Sequence, residues 1–258
     1  MKVVILCGGF GTRLKEQTEF IPKPMVAVGG KPLIWHILKI YYEQGFNEFI
    51  LPLGYKGEII KDFFVNYKWK SSDFTLEVDQ DNKIQFHDEM KCEKWKIHFV
   101  DTGVNCLTSR RVFLIKHLIK NDEQFMLTYG DGISDIILKE LVKFHSSKNT
   151  LGTITGTRPR QKFGLVEQEN GIIRKFKEKP EMKDLVNCGF MIFEKEALGY
   201  FNGENTMLEY DVLPRMSKDN KLSIYEHKGF WHCIDTQRDY EEANRLWENN
   251  PKWKIWKD

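Results

Sequence analysis

The sequence predicts an α/β fold built on a doubly wound, mainly parallel, Rossmann-like sheet. The apolar run at residues 3–6 is typical of a strand buried on both faces, and a glycine-rich turn follows it directly. Strand and helix patterns then alternate along residues 1–150, as expected when crossover helices join parallel strands. A small antiparallel excursion interrupts this alternation, and residues 151–239 form a β-rich second half. We expect one domain over residues 1–258, with a C-terminal tail at 240–258.

The elements that follow the glycine-rich turn have clear start and stop signals. An amphipathic helix is predicted to begin at Pro32 and to end at Gly45, because apolar residues recur along one face between them. The apolar residues 49–53 predict a second strand, and a glycine-containing turn leads from it into another helix. This order supports a parallel sheet in the first half of the chain.

Two pairs of short alternating segments predict antiparallel strands. The excursion consists of residues 74–78 and 83–86, which are separated by a polar turn at 79–82. In the second half, residues 163–166 and 172–176 have the same pattern and are expected to pair.

Composition excludes several classes of partner. The 39 basic and 37 acidic residues give a formal net charge of +2, so neither a nucleic acid nor an anionic membrane is expected as the main partner. The five cysteines are odd in number and contain no CxxC pair, which indicates neither a disulfide framework nor a zinc site. No run of 18 apolar residues occurs, and we expect a cytoplasmic protein.

The turn after the first strand has the composition of a phosphate-binding loop. Gly8, Gly9 and Gly11 lack side chains, so backbone N–H groups can approach a phosphate closely. Thr12 adds a hydroxyl group and Arg13 adds a planar cationic fork. The loop is therefore predicted to bind a phosphate at the carboxyl edge of the sheet.

Two well-known phosphate loops do not fit this segment. The dinucleotide fingerprint requires a third glycine where this chain has Leu14, and the Gly-Lys-Ser/Thr of a P-loop is absent. The chain instead has GG-x-GTRL at residues 8–14, followed by Pro-Lys-Pro-Met at 22–25. This combination resembles the signature of the sugar-phosphate nucleotidyltransferases, which join a nucleoside triphosphate to a sugar phosphate and release pyrophosphate.

The resemblance implies roles for individual residues of this segment. Arg13 would clamp the leaving pyrophosphate and Lys23 would hold the α-phosphate, so these two are the predicted catalytic residues. The remaining loop residues would bind the nucleotide: Leu6, Gly8, Gly9, Gly11 and Thr12.

A second segment resembles one subgroup of that family, the glucose-1-phosphate cytidylyltransferases. It contains Asp-Thr-Gly at residues 101–103 and then an arginine in the first turn of a predicted helix. The resemblance implies that Gly103, Thr108 and Arg111 bind CTP. The chain departs from the subgroup at residues 109–110, where Ser-Arg replaces two glycines.

Two aspartates are the predicted metal ligands. Asp131 lies between two glycines at the end of an apolar strand, and Asp235 follows another short strand near the end of the chain. Two carboxylates from distant strands can hold Mg²⁺ beside the α-phosphate. Asp131 is therefore assigned to both the metal and the nucleotide.

The β-rich half is expected to bind the acceptor. The resemblance assigns Lys179 to the acceptor phosphate and further residues to its polyhydroxylated part or its vicinity: Glu178, Asn187, Gly189 and Glu209. The chain departs from the subgroup at Cys188 and at residues 159–162, and these departures leave the identity of the acceptor open.

Three tryptophans occur near the end of the chain: Trp247, Trp253 and Trp256. Exposed tryptophans at a chain end are unfavourable, so they are expected to dock either on their own domain or on a neighbouring subunit. The family resemblance also implies a homo-oligomer.

Together these features predict a cytidylyltransferase that joins CTP to a sugar phosphate, with glucose 1-phosphate as the first candidate and Mg²⁺ as cofactor. One alternative keeps the chemistry and changes the acceptor to another sugar phosphate or a polyol phosphate. Another is a nucleotide-binding regulatory homologue without turnover. An NAD-dependent oxidoreductase is disfavoured by Leu14.

Overall fold

The computed structural model describes residues 1–78, 82–87, 93–161 and 163–256. Most of the turn predicted at residues 79–82 therefore lies outside the described residues, as does residue 162. The described residues form eight α-helices: α1 (Lys15–Thr18), α2 (Leu33–Tyr42), α3 (Gly57–Val65), α4 (Tyr67–Lys70), α5 (Thr108–Ile119), α6 (Leu138–Ser146), α7 (Val212–Lys218) and α8 (Gln237–Asn249). Within this part of the chain, no helix has both the length and the apolar character needed to cross a membrane.

Strands account for most of the remaining regular structure. In chain order they are β1 (Lys2–Leu6), β2 (Ala27–Val28), β3 (Lys31–Pro32), β4 (Glu48–Leu53), β5 (Phe74–Glu77), β6 (Lys83–Phe86), β7 (Lys96–Asp101), β8 (Gln124–Tyr129), β9 (Gly132–Ser134), β10 (Gly152–Thr157), β11 (Leu165–Glu169), β12 (Ile172–Lys177), β13 (Val186–Glu194), β14 (Leu222–Glu226) and β15 (Trp231–Cys233).

Seven strands form the central sheet, in the order β14-β10-β13-β8-β1-β4-β7. The pairs β1–β4, β1–β8, β4–β7 and β10–β14 are parallel, whereas β13 is antiparallel to both of its neighbours. Six strands therefore run in one direction and a single strand is reversed. This confirms the predicted α/β fold with a doubly wound, mainly parallel sheet, and strands from both halves of the chain contribute to it.

The strand order reverses beside β1. Strands β4 and β7 lie on one side of β1, whereas β8 and the strands of the second half lie on the other. In open parallel sheets a crevice forms at the carboxyl ends of the strands at such a switch point. The loops that follow β1 and β8 therefore border the expected ligand-binding position.

Alternating side chains of β1 explain why this strand is apolar throughout. Val3 and Ile5 belong to the core cluster that includes α2, whereas Val4 and Leu6 belong to the cluster that includes α5. Successive side chains of a strand point to opposite faces, so both faces of β1 are covered by helices. The glycine-rich turn consequently starts from a fixed point in the middle of the sheet.

In the part of the chain that the structure describes, four two-stranded ribbons lie outside the central sheet: β2–β3, β5–β6, β11–β12 and β9–β15. The ribbon β5–β6 is the predicted antiparallel excursion, and β11–β12 is the predicted pair in the second half. A third ribbon pairs β9 with β15, so that residues about 100 positions apart in the sequence become neighbours. This third ribbon has the greatest consequence for the site described below.

The C-terminal tryptophans dock on their own chain. Trp253 is completely buried and Trp256 nearly so, and both pack with Trp247 around His36 of α2. The Nε1–H of Trp253 donates a hydrogen bond to Nδ1 of His36 at 3.4 Å, while Nε2 of His36 lies 2.8 Å from the carbonyl oxygen of Val28. The three tryptophans therefore pack on their own chain. Self-association stays a prediction from the family resemblance alone.

The buried imidazole predicts a dependence of stability on pH. Burial lowers the pKa of His36 from its ordinary value of 6.5 to about 4, despite its hydrogen bonds to backbone carbonyls. The unfolded chain therefore takes up a proton below pH 6.5 that the folded chain does not accept until about pH 4. The free energy of unfolding should fall across this interval.

Urea unfolding at pH 7 and pH 5 tests this expectation. The wild type should lose about 2 kcal/mol more stability between these two pH values than the variant His36→Gln, which cannot take up the proton. Equal losses in the two proteins would contradict a neutral, buried His36.

Candidate active site

A cavity of about 290 Å³ opens at the switch point of the sheet. Its walls come from the loop after β1, the segment around Lys23, the start of α5, the end of β8, and Asp235. Eleven residues that the sequence assigned to the nucleotide, the metal or catalysis line it: Leu6, Gly8, Gly9, Gly11, Thr12, Arg13, Lys23, Thr108, Arg111, Asp131 and Asp235.

The glycine-rich loop rests on a buried arginine. Arg111 is 2% exposed, and its guanidinium donates hydrogen bonds to the carbonyl oxygens of Gly8, at 3.0 Å, and of Leu53, at 2.8 Å. It also contacts the hydroxyl group of Thr102 and the carbonyl oxygen of Val104. Arg111 therefore ties the ends of β1, β4 and β7 together beneath the cavity, and its predicted contact with CTP stays a prediction.

Glycine is required where the loop meets this arginine. A Cβ atom at Gly8 would lie 2.0 Å from Cζ of Arg111, and one at Gly54 would lie 2.7 Å from its Nη2. A Cβ atom at Gly9 would meet no atom within 4 Å. Gly8 and Gly54 thus make room for Arg111, whereas Gly9 leaves the floor of the cavity open to a ligand.

The β9–β15 ribbon brings the two predicted metal ligands together. Cys233 pairs with Gly132, and the N–H of Ile234 donates to the carbonyl oxygen of Asp131 at 3.0 Å. Asp131 precedes β9 and Asp235 follows β15, so the pairing places the two carboxylates side by side at one end of the ribbon. This position is also the carboxyl end of β8.

Lys23 bridges the two carboxylates. Its Nζ lies 2.7 Å from Oδ2 of Asp131 and 2.5 Å from Oδ1 of Asp235, and its side chain is 12% exposed. Arg13 approaches the other oxygen of Asp235, with Nη1 at 2.9 Å from Oδ2, but its side chain is 73% exposed. The lysine is therefore held in place, whereas the arginine is available to a ligand in the cavity.

The charges of this cluster stabilise one another. Burial by itself would lower the pKa of Lys23, but the charge of Asp131 and hydrogen bonds to both aspartates raise it above its ordinary value. Burial would raise the pKa of Asp235, but the hydrogen bond and charge of Lys23, with the charge of Arg13, hold it below its ordinary value. Lys23 and Asp235 are consequently both ionised near neutral pH.

The donor set around the two aspartates suits a hard cation. Single ligand atoms of Asp131, Cys233 and Asp235 lie within 4.8 Å of one another. Burial and the two neighbouring carboxylates raise the pKa of the Cys233 thiol, so it remains protonated. Two carboxylates without a thiolate match the oxygen preference of Mg²⁺, and the ammonium group between them shows that a positive charge is accommodated there.

Three predicted acceptor residues gather around Tyr129 at the end of β8. Its hydroxyl group donates to Oε1 of Glu209 and has a further hydrogen bond with Asn187. A Cβ atom at Gly189 would lie 2.5 Å from the Tyr129 ring. Tyr129 also lines the cavity, so it links the predicted acceptor residues to the cluster of Lys23, Asp131 and Asp235. Sequence reasoning missed its role, although its position two residues before Asp131 was a usable signal.

One oxygen of this group is poised to accept a hydrogen bond. Oε2 of Glu209 is buried and has no hydrogen-bond partner among the described residues. An unpaired buried carboxylate oxygen is unfavourable, so a hydroxyl group of a ligand would stabilise it.

The remaining predicted site residues do not line the cavity. Gly103 lies in the turn after β7 with φ +87°, a conformation that favours glycine. Glu178 and Lys179 follow the β11–β12 ribbon, where their side chains are 62% and 49% exposed and lie 3.6 Å apart. Their assignments to the nucleotide and the acceptor stay predictions.

The contrast between Gly8 and Gly9 gives a matched pair of variants. Gly8→Ala should lower the free energy of unfolding by about 1–3 kcal/mol, because its methyl group would displace the buried guanidinium of Arg111 from its carbonyl partners. Gly9→Ala should change stability by less than about 0.5 kcal/mol. Chemical denaturation measures both, and equal stability of the two variants would show that Arg111 does not support the loop.

Comparison with known proteins identifies the family of this chain. The family model for nucleotidyl transferases matches residues 2–250. A Bacillus subtilis protein named "Probable glucose-1-phosphate cytidylyltransferase" is 43% identical over 99% of this chain and 100% of its own length. The glucose-1-phosphate cytidylyltransferase of Salmonella typhi is 38% identical with the same coverage.

A solved structure supports the fold independently. HddC from Yersinia pseudotuberculosis superposes with a TM-score of 0.69 and 22% identity, covering 95% of this chain and 99% of that one. The fold, the match along nearly the whole sequence and the full-length relatives lead to one conclusion: the chain belongs to the nucleotidyl transferase family and is a sugar-phosphate nucleotidyltransferase.

Proposed function

We propose that this enzyme transfers the cytidylyl group of CTP to a sugar phosphate, forming a CDP-sugar and pyrophosphate, with glucose 1-phosphate as the first acceptor to test. The observation that carries the proposal is the cluster of Lys23, Asp131 and Asp235 in the cavity between the glycine-rich loop and the Tyr129 group. The full-length relatives with 43% and 38% identity are named for this reaction, which supports both CTP and glucose 1-phosphate.

Mg²⁺ is the cofactor that we propose for Asp131 and Asp235. Both side chains offer hard oxygen ligands at one point, and the ammonium group of Lys23 occupies the space between them. When bound there, the cation would neutralise and polarise the phosphates of the nucleotide.

The reaction requires placement and charge more than a covalent nucleophile. A phosphate oxygen of the acceptor attacks the α-phosphorus of CTP in line. The new P–O bond forms as the bond to the β-phosphate breaks, and pyrophosphate leaves with the electron pair. No general base is needed, because the acceptor phosphate is already anionic near neutral pH.

The cationic side chains of the cavity suit the charge that develops in this step. The family resemblance assigns Lys23 to the α-phosphate, a role that its ammonium group can take once Mg²⁺ binds the two carboxylates that now hold it. The exposed Arg13 can follow the departing pyrophosphate. Backbone groups at Gly9, where nothing crowds a Cβ position, leave space for the triphosphate.

The Tyr129 group suits a polyhydroxylated acceptor. Oε2 of Glu209 can accept a hydrogen bond from a sugar hydroxyl, and Asn187 also hydrogen-bonds with the tyrosine hydroxyl. Lys179 would take the acceptor phosphate, as the family resemblance implies. Because the Lys179 side chain is half exposed, its contact with the acceptor phosphate would form only once the acceptor has bound.

Replacing the bridging lysine tests the catalytic assignment. Lys23→Ala should lower pyrophosphate release from CTP and glucose 1-phosphate by about 100-fold to 1000-fold, because it removes a cation from the transferred phosphate. Coupled detection of pyrophosphate at saturating substrates gives the rate.

A surface lysine provides the control for this experiment. Lys195 also forms a short ion pair, at 2.7 Å to Glu123, but it lies outside the cavity. Lys195→Ala should retain the wild-type rate, and both variants should keep the wild-type circular dichroism spectrum. Near-normal turnover by Lys23→Ala would refute the catalytic role of the lysine.

A further inference from the structure

We propose that a second cavity, beside β10 and β15, binds a small phosphorylated ligand. This basic pocket has a volume of about 460 Å³ and is lined by Thr157 to Arg160, Lys228 to Trp231, Asp135 and Lys252. None of these residues lines the catalytic cavity. The pocket is therefore a separate candidate site, which neither the family match nor the predicted catalytic residues account for.

Positive charge dominates the lining. Arg158, Arg160, Lys228 and Lys252 converge from three separate segments of the chain, against the single carboxylate of Asp135. Arg158 pairs with Glu226 at 3.2 Å, whereas the other three cations have no ion-pair partner among the residues that the structure describes. Like charges brought together repel one another, so an anion in the pocket would stabilise the arrangement.

The one acidic group of the lining is already engaged. Oδ1 of Asp135 accepts a hydrogen bond from the N–H of Phe230 at 2.7 Å and lies 3.0 Å from Nε2 of His227. Asp135 thus serves the loop between β14 and β15, and it does not pair with the three cations. The pocket consequently keeps its positive charge for a ligand.

The loop that carries Lys228 is fixed in place. The N–H of His227 donates to the carbonyl oxygen of Gly156 at 2.8 Å, and the His227 side chain is buried. A Cβ atom at Gly229 would lie 2.3 Å from Oδ1 of Asp135, so the backbone packs directly over that carboxylate. The backbone at Lys228 is therefore held in place before a ligand binds. Such pre-organisation lowers the entropy cost of binding.

The remaining wall indicates the size and kind of ligand. Phe230, Trp231 and Pro159 supply ring surfaces beside the cations. Lys252 adjoins the completely buried Trp253, which fixes its backbone against the core. A volume of this size suits a small molecule that carries phosphate groups, either inorganic pyrophosphate or a diphosphate attached to a ring.

Isothermal titration calorimetry with pyrophosphate, in the absence of CTP and Mg²⁺, tests the site. We expect a binding event in the wild type that weakens at least 10-fold in the triple variant Arg160→Gln, Lys228→Gln, Lys252→Gln. A control variant, Lys61→Gln, Lys139→Gln, Lys218→Gln, removes the same charge from exposed lysines that form no ion pair within the described part of the chain. It should keep the event.

The proposal is independent of the proposed catalytic function. Lys23→Ala, which should lose turnover, should keep this binding event. The proposal is overturned if the wild type binds no pyrophosphate, if Lys23→Ala removes the only event, or if the control triple weakens binding as much as the pocket triple. Should the pocket triple fail to fold, the single exposed substitution Lys252→Glu replaces it, with a several-fold loss expected and unchanged affinity contradicting the site.

The same titration with CDP identifies the source of the phosphate groups. Binding of CDP that is tighter than that of pyrophosphate, and that the pocket variant weakens, assigns the site to a nucleotide or sugar nucleotide. Equal affinity for the two assigns it to the diphosphate group alone.

Discussion

The ion cluster of Lys23 with Asp131 and Asp235 is the interaction on which the rest of the site depends. Two carboxylates at a partly buried position repel each other and lose solvation, so they require a cation between them. Lys23 supplies it in the structure, and Mg²⁺ is the cation that we propose for the same carboxylates during turnover. The cluster depends on the register of the β9–β15 ribbon, because this pairing brings Asp235 beside Asp131.

The buried side chain of Arg111 supports the glycine-rich loop from beneath the cavity, which allows this loop to position a substrate. Arg111 donates to main-chain carbonyls at the ends of neighbouring strands, and Gly8 and Gly54 leave room for its guanidinium. Buried arginines are costly unless they find hydrogen-bond acceptors, and here three main-chain carbonyl oxygens and the hydroxyl group of Thr102 accept from Arg111. The arrangement fixes the loop before any ligand arrives, which is the pre-organisation that electrostatic catalysis of phosphoryl transfer requires.

The sequence was sufficient to predict the mainly parallel sheet and many of the residues that line the cavity, because local patterns encode them. The buried strand β1, the glycines after it and an aspartate at the end of β8 each have a signature within a few residues. The support role of Arg111 has no such signature, since its partners are carbonyl oxygens of Gly8, Leu53 and Val104 that only the fold brings together. The same limit applies to the docking of Trp253 on His36, which the sequence left undecided between the chain's own core and a neighbouring subunit.

A panel of substrates tests whether this site joins CTP to a sugar phosphate. Pyrophosphate release would be measured with Mg²⁺ and each of the four common nucleoside triphosphates plus dTTP, against sugar and polyol phosphates including glucose 1-phosphate. We expect pyrophosphate release with CTP and a sugar phosphate, and we expect glucose 1-phosphate to be the preferred acceptor. Release with CTP and a polyol phosphate instead would keep the chemistry and correct the acceptor. No release with any pair would contradict cytidylyl transfer at this site and favour a non-catalytic homologue.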